Sequence, residues 1–202
     1  MMYEGRYSSS AEVLAAGGSW WREFLCDGSL SEELLGYERP VLGNFRGLRV
    51  FDLGGGWGTH YYRFRKAGVD VPWMVCELSG MLEGGRRLAD ERGAGNLGFT
   101  DQPFLLVDYD TFHSSGALQY IENWPFVAGE NPRDVFITQM PVTDNETFFT
   151  IQEERGQHLA VRVFNEGQFV EYFRMLGYKM VDSWDCYEVP ELCGFRGFYF
   201  KR

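Results

Sequence analysis

The sequence predicts one doubly wound α/β domain on a seven-stranded, mostly parallel sheet, and three observations carry that reading. An apolar strand runs straight into a glycine-dense turn over Leu48 to Thr59 (Leu-Arg-Val-Phe-Asp-Leu-Gly-Gly-Gly-Trp-Gly-Thr) and then into a helical pattern. A second short apolar strand, Val71 to Glu77, follows about 25 residues beyond Asp52 and ends in a carboxylate. Short apolar strands then alternate with helical stretches to the C-terminus.

Length and composition agree. At 202 residues the chain fits one domain with a full core, and 45% hydrophobic and 17% aromatic residues leave aromatic surface for a ligand pocket. A formal net charge of -10, with no Lys/Arg run to offset it, opposes any electrostatic grip on nucleic-acid phosphates. The expected partner is a small molecule, free or protein-bound, and the protein is expected to work as a monomer or homodimer. Cys26, Cys76, Cys186 and Cys193 are scattered without a Cys-x-x-Cys pair, which indicates neither a zinc site nor a disulfide scaffold and fits a reducing cytosol. No stretch has signal-peptide character or the roughly 20 apolar residues of a membrane span, so a soluble, cytoplasmic protein is expected.

Within the turn, Gly54, Gly56 and Gly58 accept backbone angles that other residues resist, and they let a ligand lie against bare backbone. The pattern is Asp-x-Gly-x-Gly-x-Gly, whereas the dinucleotide fingerprint needs a third glycine where Thr59 stands. Asp52 at the strand end would repel a pyrophosphate and welcome the ammonium of an amino acid. S-adenosylmethionine (SAM), which carries an ammonium, a sulfonium and no phosphate, suits such a loop better than NAD. Glu77 stands where a strand-end carboxylate meets ribose hydroxyls in open α/β sheets.

These residues, with His113-Ser114-Ser115-Gly116-Ala117-Leu118-Gln119-Tyr120-Ile121, resemble the class I SAM-dependent methyltransferases. More narrowly, the chain is similar to a methyltransferase family of undetermined substrate whose members share Asp-Leu-Gly-Gly, a strand-end Glu and Ser-Ser-x-x-Leu-Gln-Tyr. The resemblance runs from Gly47 to the C-terminus. It implies a Rossmann-like domain over residues 47–202, with residues 1–46 as an N-terminal helical lid. It also implies a final strand that returns antiparallel between its neighbours, and SAM as co-substrate.

In chain order, Ser8 to Cys26 reads as two short helices broken at Gly17-Gly18, serving either as packing on the sheet or as a lid in which Tyr3, Tyr7, Trp20 and Trp21 screen a sulfonium. Gly28 to Gly47 reads as a linker with one helical turn around Ser31 to Leu35. Thr59 to Ala67 is the first helix of the α/β unit, its N-terminus toward the ligand, with His60 a rim residue or a catalyst. Ser79 to Arg92 is the next helix, capped by Ser79, and Asn96 to Thr100 the next strand. Asp101 is either a turn residue or, as the resemblance implies, the acceptor for an adenine amino group.

Phe104 to Val107 and Thr111 to Ser115 both suit the fourth strand, and the resemblance selects the second. It places Ser114 and Ser115 at the carboxyl end, with Ser115, Gln119 and Tyr120 toward the methyl or aminobutyrate part of SAM. His113 is either a half-buried strand residue or a group that orients the acceptor. Asp134 to Met140 is the fifth strand, followed by a turn from Pro141 to Asn145. Members of the family it resembles tend to carry a basic residue near Gln139, and its absence here weakens the expectation of an anionic acceptor. Phe148 to Gln152 pairs with Leu159 to Phe164 as an extra hairpin arm, and Asn165 caps a helix through Phe169, Val170, Phe173 and Leu176. Lys179 to Trp184 and Phe195 to Lys201 are the last strands. No metal-ligand spacing appears.

Three functions follow from this reading. The first is methyl transfer to a small-molecule acceptor, possibly carrier-bound, oriented by His113, Ser115, Gln119 and Tyr120. The second is closure of SAM on itself to azetidine-2-carboxylate and methylthioadenosine. The third is non-catalytic SAM binding, whose expected signs, a degraded glycine loop or a missing ribose carboxylate, are absent.

Overall fold

A computed structural model describes residues 2–19, 32–45, 48–124, 126, 132–154, 156–190 and 192–202. Its strands are β1 (Met2–Tyr7), β2 (Val50–Leu53), β3 (Trp73–Cys76), β4 (Leu97–Thr100), β5 (Thr111–Ser115), β6 (Asp134–Thr143), β7 (Phe148–Glu154), β8 (Gln157–Asn165), β9 (Lys179–Val189) and β10 (Cys193–Lys201). Its α-helices are α1 (Ser10–Ala15), α2 (Arg39–Leu42), α3 (Thr59–Lys66), α4 (Ser79–Glu91) and α5 (Glu166–Met175).

Seven strands form the expected sheet in the order β4-β3-β2-β5-β6-β10-β9. Neighbours from β4 to β6 run parallel, and β10 is antiparallel to both β6 and β9. Three further strands extend the sheet to ten, because β8 joins the far end of β6 at Val142↔Phe164 and carries β7 and then β1 antiparallel beside it. The β7–β8 arm is thus an integral part of the sheet.

Strand alternation divides the core in two. Val50, Trp73, Val75 and Phe99 pack with Tyr61, Phe64 and Leu82 of α3 and α4, while Phe51, Phe112, Val135 and Ile137 pack with Phe169 and Phe173 of α5 on the opposite face. Asn165 caps α5 as expected, its side chain accepting from the Gln168 N–H at 3.0 Å.

Four local expectations are corrected. The N-terminus opens as strand β1, followed by a short helix capped by Ser9 and ended at Gly17. Ser19 is bridged to β8, its N–H donating to the His158 carbonyl at 2.9 Å, and the rest of the second predicted helix, with Trp20 and Trp21, lies outside the described residues. Of the turn expected around Ser31 to Leu35, Ser31 lies outside the described residues and 32–35 are not helical; the chain turns at Gly36–Glu38 and α2, where Pro40 sits in the first helical turn and gives up no needed N–H. Ser79 does not cap α4, because its hydroxyl donates to Asp101 Oδ2 at 2.7 Å. Finally, β6 continues through Pro141, which falls between the end of β5 pairing at Thr138 and the start of β8 pairing at Val142.

Phe173 stacks on Phe200 at 4.4 Å and touches Trp124, Phe126 and Phe169 with no exposed surface. Phe173→Ala is expected to lower stability by ~3–5 kcal/mol in chemical denaturation, and a loss under ~1 kcal/mol would show this face to be loosely packed.

Candidate active site

The turn after β2 is held from below. Asp52 is fully buried on the α3 side of the sheet, and its carboxylate accepts from His113 Nδ1–H at 2.8 Å, His60 Nδ1–H at 3.1 Å and Trp73 Nε1–H at 3.1 Å. A second buried carboxylate, Glu38, accepts from Arg63 at 2.8 Å and from the Leu35 N–H at 2.7 Å, and its Oε1 lies 4.0 Å from His60 Nε2. Burial alone would raise the Asp52 pKa, but the two imidazoles outweigh it and hold the carboxyl well below its ordinary value. Burial also opposes a charge on His60, yet the Asp52 carboxylate prevails and raises its pKa. At His113 burial wins and the pKa is lowered, so this ring is a neutral donor. With His60 protonated, two carboxylates face two cations and the cluster is balanced.

Spacing in the chain hides this cluster, which brings ligand atoms of Asp52, His60 and His113 within 4.8 Å of one another. The separations are those of hydrogen bonds, and the Trp73 N–H on the same carboxylate could not face a metal ion.

Asp52 decides the shape of the loop above it. A Cβ on Gly55 would stand 2.3 Å from Asp52 Oδ2, so only glycine closes over the carboxylate. Gly54, Gly56 and Gly58 all adopt positive φ, and a Cβ on Gly56 would meet no atom nearer than Thr59 Oγ1 at 4.0 Å, leaving bare backbone toward the cleft. Glu77 at the end of β3 fastens the loop: Oε1 accepts from the Gly56 N–H at 2.9 Å and Oε2 from the Leu78 N–H at 3.1 Å. Its burial raises its pKa, and the two N–H bonds pull the other way.

A cleft of about 270 Å³ opens over this loop, lined by Gly54, Gly55, Gly56, Thr59, His60 and Glu77 together with Tyr37, Arg63, Ser115 and Gln139. Beyond Ser115 and Gln139 lies a second cavity of about 190 Å³, walled by Tyr3, Tyr120, Tyr187 and Phe195, with Gln119, Gln152 and Glu154 as polar groups. Ser115 and Gln139 line both. Ser115 Oγ accepts from Thr138 Oγ1 at 2.7 Å and Gln139 Nε2 at 2.9 Å. Tyr120 donates to Gln152 at 2.6 Å, and the Gln119 Oε1 is buried without a partner. Burial pushes the Tyr187 hydroxyl up to about 12, and those of Tyr3 and Tyr120 higher, so all three remain neutral donors.

The residues singled out in the sequence thus separate into groups. Gly54, Gly56 and Glu77 line the first cleft, Gly58 turns the chain into α3, and Ser115, Gln119 and Tyr120 line the second cavity. Asp52 and His113 lie beneath the loop, so the carboxylate expected to meet a ligand ammonium is occupied by three protein donors. Ser114 points to the other face of β5 and donates to the Leu53 carbonyl at 3.0 Å, tying β5 to β2. Asp101 is exposed, accepts from Ser79, and lies outside the lining of the cleft.

Gln139 escaped the sequence reading as a site residue. It is the one non-glycine with positive φ among the described residues, at 56°. Thr138 and Gln139 stand opposite the single Gly197 of β10, a bulge that turns the Gln139 amide onto Ser115. Tyr187 and Phe195 likewise reach the site only because β9 and β10 fold back beside β6.

No family profile matches the sequence, and no curated protein does. Solved structures match along most of the chain. One is a glycopeptide N-methyltransferase, MtfA, complexed with S-adenosylhomocysteine (13% identity, TM-score 0.60, covering 98% of this chain and 99% of that one). A second is the 1,6-didemethyltoxoflavin-N1-methyltransferase of Burkholderia thailandensis with 1,6-didemethyltoxoflavin and S-adenosylhomocysteine bound (17%, 0.59, 83% and 78%). A third is magnesium protoporphyrin IX methyltransferase from Synechocystis PCC 6803 with bound SAM (17%, 0.54, 81% and 77%). This chain shares its fold with these methyltransferases. Among the described residues, no helix is long and apolar enough to cross a membrane.

The two imidazoles on Asp52 are expected to titrate on opposite sides of the ordinary value of 6.5, His60 above and His113 below, in histidine NMR. The His60–Asp52 pair then stabilises the fold fully below pH 6.5 and loses that contribution as pH rises through the raised His60 value, while the neutral His113 favours unfolding as pH falls below 6.5. Asp52→Asn should abolish the upward shift of His60 and lower stability by ~3–5 kcal/mol, since it breaks a buried ion pair by removing one partner. Two rings titrating together near 6.5 would refute the cluster.

Proposed function

We propose that this protein transfers the methyl group of SAM to a small-molecule acceptor. The observation that carries the reading is the pair of cavities meeting at Ser115 and Gln139, one built on a glycine loop and a strand-end carboxylate, the other on tyrosines and amides. The loop fits SAM because Gly56 leaves bare backbone toward the cleft, and Glu77 stands beside it to accept from ribose hydroxyls. Met81 and Tyr37 supply apolar wall.

When bound, SAM supplies a methyl carbon on a sulfonium. The acceptor heteroatom bonds to that carbon as the carbon–sulfur bond breaks, sulfur keeps the electron pair to leave S-adenosylhomocysteine, and the acceptor's proton departs. Such an in-line displacement asks the protein chiefly to align the partners and exclude water. Ser115 and Gln139 stand at the junction to position the acceptor, with Gln119 and Tyr120 behind them. The acceptor, free or carrier-bound, enters the second cavity. The intact loop and Glu77 speak against a purely non-catalytic SAM-binding role.

One observation favours a second reading. A carboxylate beside the SAM amine would hold it as an ammonium, but Asp52 is turned away under the loop. A neutral amine in a small aromatic cavity could attack the γ-carbon of its own chain, break the carbon–sulfur bond to release methylthioadenosine, and lose a proton to give azetidine-2-carboxylate.

Glu77→Gln is expected to weaken SAM binding about ten- to a hundredfold in calorimetry, the equivalent of one or two charge-assisted hydrogen bonds. Equal affinity of the wild type for SAM and its 2′-deoxy analogue would remove Glu77 from the ribose. Incubating the pure protein with SAM alone, followed by mass spectrometry, divides the two enzymatic readings. S-adenosylhomocysteine formed only after an acceptor or cell extract is added supports methyl transfer, whereas catalytic methylthioadenosine from SAM alone overturns it.

A further inference from the structure

The arm formed by β1, β7 and β8 has two faces. Gln152 and Leu159, opposite one another in register, wall the second cavity. Phe149 and Arg162, also register partners, face the other way and open onto a separate cavity of about 570 Å³ between the arm and α5. This cavity shares no lining residue with the two already described.

Its wall is aromatic. Trp124 lies 5.1 Å from both Phe164 and Tyr172, ring centre to ring centre. The only cation among the described lining residues is Arg162, whose guanidinium carbon sits 5.1 Å from the Phe149 ring centre and 5.3 Å from that of Phe164. The guanidinium has no carboxylate within ion-pair distance among the described residues. Its Nη2 reaches only the Glu122 carbonyl, at 3.5 Å, and its Nε–H is buried with no acceptor. Burial holds its pKa below the ordinary value, with the Glu122 charge opposing. Glu122 itself is exposed at the rim, where water screens it. A buried guanidinium N–H left without an acceptor is rare in a folded protein and calls for a partner.

We infer that this cavity is a binding site for a small aromatic anion, a carboxylate or sulfonate on a flat ring system. The anion accepts from Arg162, whose planar fork suits two-oxygen acceptors, and the ring packs against Trp124 and Tyr172. The site is independent of the SAM cleft and stands whether or not the methyl-transfer reading does.

The test uses 1-naphthoate and 1-naphthylmethanol, which share a ring system and differ in charge, titrated calorimetrically into the full chain saturated with S-adenosylhomocysteine and again without it. Naphthoate is expected to bind at least about tenfold more tightly than the alcohol, with or without the nucleoside. Arg162→Gln should remove that preference. Because Arg162→Gln alters the arm, a second variant guards against a folding defect: Gln168→Glu brings a carboxylate into the same cavity at the third position of α5, where Glu suits a helix start. It should abolish naphthoate binding while thermal unfolding stays unchanged. Equal binding of acid and alcohol, unaltered naphthoate binding by Gln168→Glu, or no binding of naphthoate to the wild type at millimolar concentration would each overturn the assignment.

Discussion

The buried carboxylate of Asp52 is the constraint on which the site depends. Removing a charge from water is expensive unless its lone pairs are answered, and three N–H donors from α3, β3 and β5 answer them. Two of those donors lie 21 and 61 residues away in sequence. The carboxylate therefore binds the strands and helix of the first α/β unit to one another at the point where the chain must turn. Gly55 closes directly over it, and this places the Gly56 N–H against Glu77. The position of the Glu77 carboxylate is thus tied to the charge beneath the loop.

A second constraint is the wall between the cavities. Gln139 holds a left-handed backbone conformation that costs a non-glycine residue about 1–3 kcal/mol, and it persists because β10 pairs on both sides of the bulge. The strain aims one amide at Ser115, where the two cavities meet. Strained backbone at a junction of this kind is consistent with positioning chemistry, and here the β6–β10 bulge holds it in place.

The described residues of the early part of the chain join the main core and the walls of the site. Val41 and Phe45 are fully buried in the main core, Glu38 takes the Arg63 guanidinium, and Tyr37 and Tyr3 line different cavities. Among the described residues, those before the glycine loop thus complete both the charge cluster and the pockets, as a strand, a short 3-10 turn and two short helices.

The sequence by itself determined the α/β unit: the strand-turn-helix at Asp52, the strand ending at Glu77, the Asn165 cap and the hairpin arm. Each of these is a local matter, because backbone propensity, glycine angles and alternation act over a few residues. Ser115, Gln119 and Tyr120 are nominated by resemblance to known methyltransferases and by no local pattern of their own. Only the tertiary structure decided that Asp52 and His113 face each other under the loop, that Ser114 turns away, and that Gln139, Tyr187 and Phe195 close the second cavity. Those outcomes depend on which strands become neighbours and where a bulge falls. Such pairings join residues up to 61 positions apart in the Asp52 cluster, a separation at which no periodicity in the chain carries information.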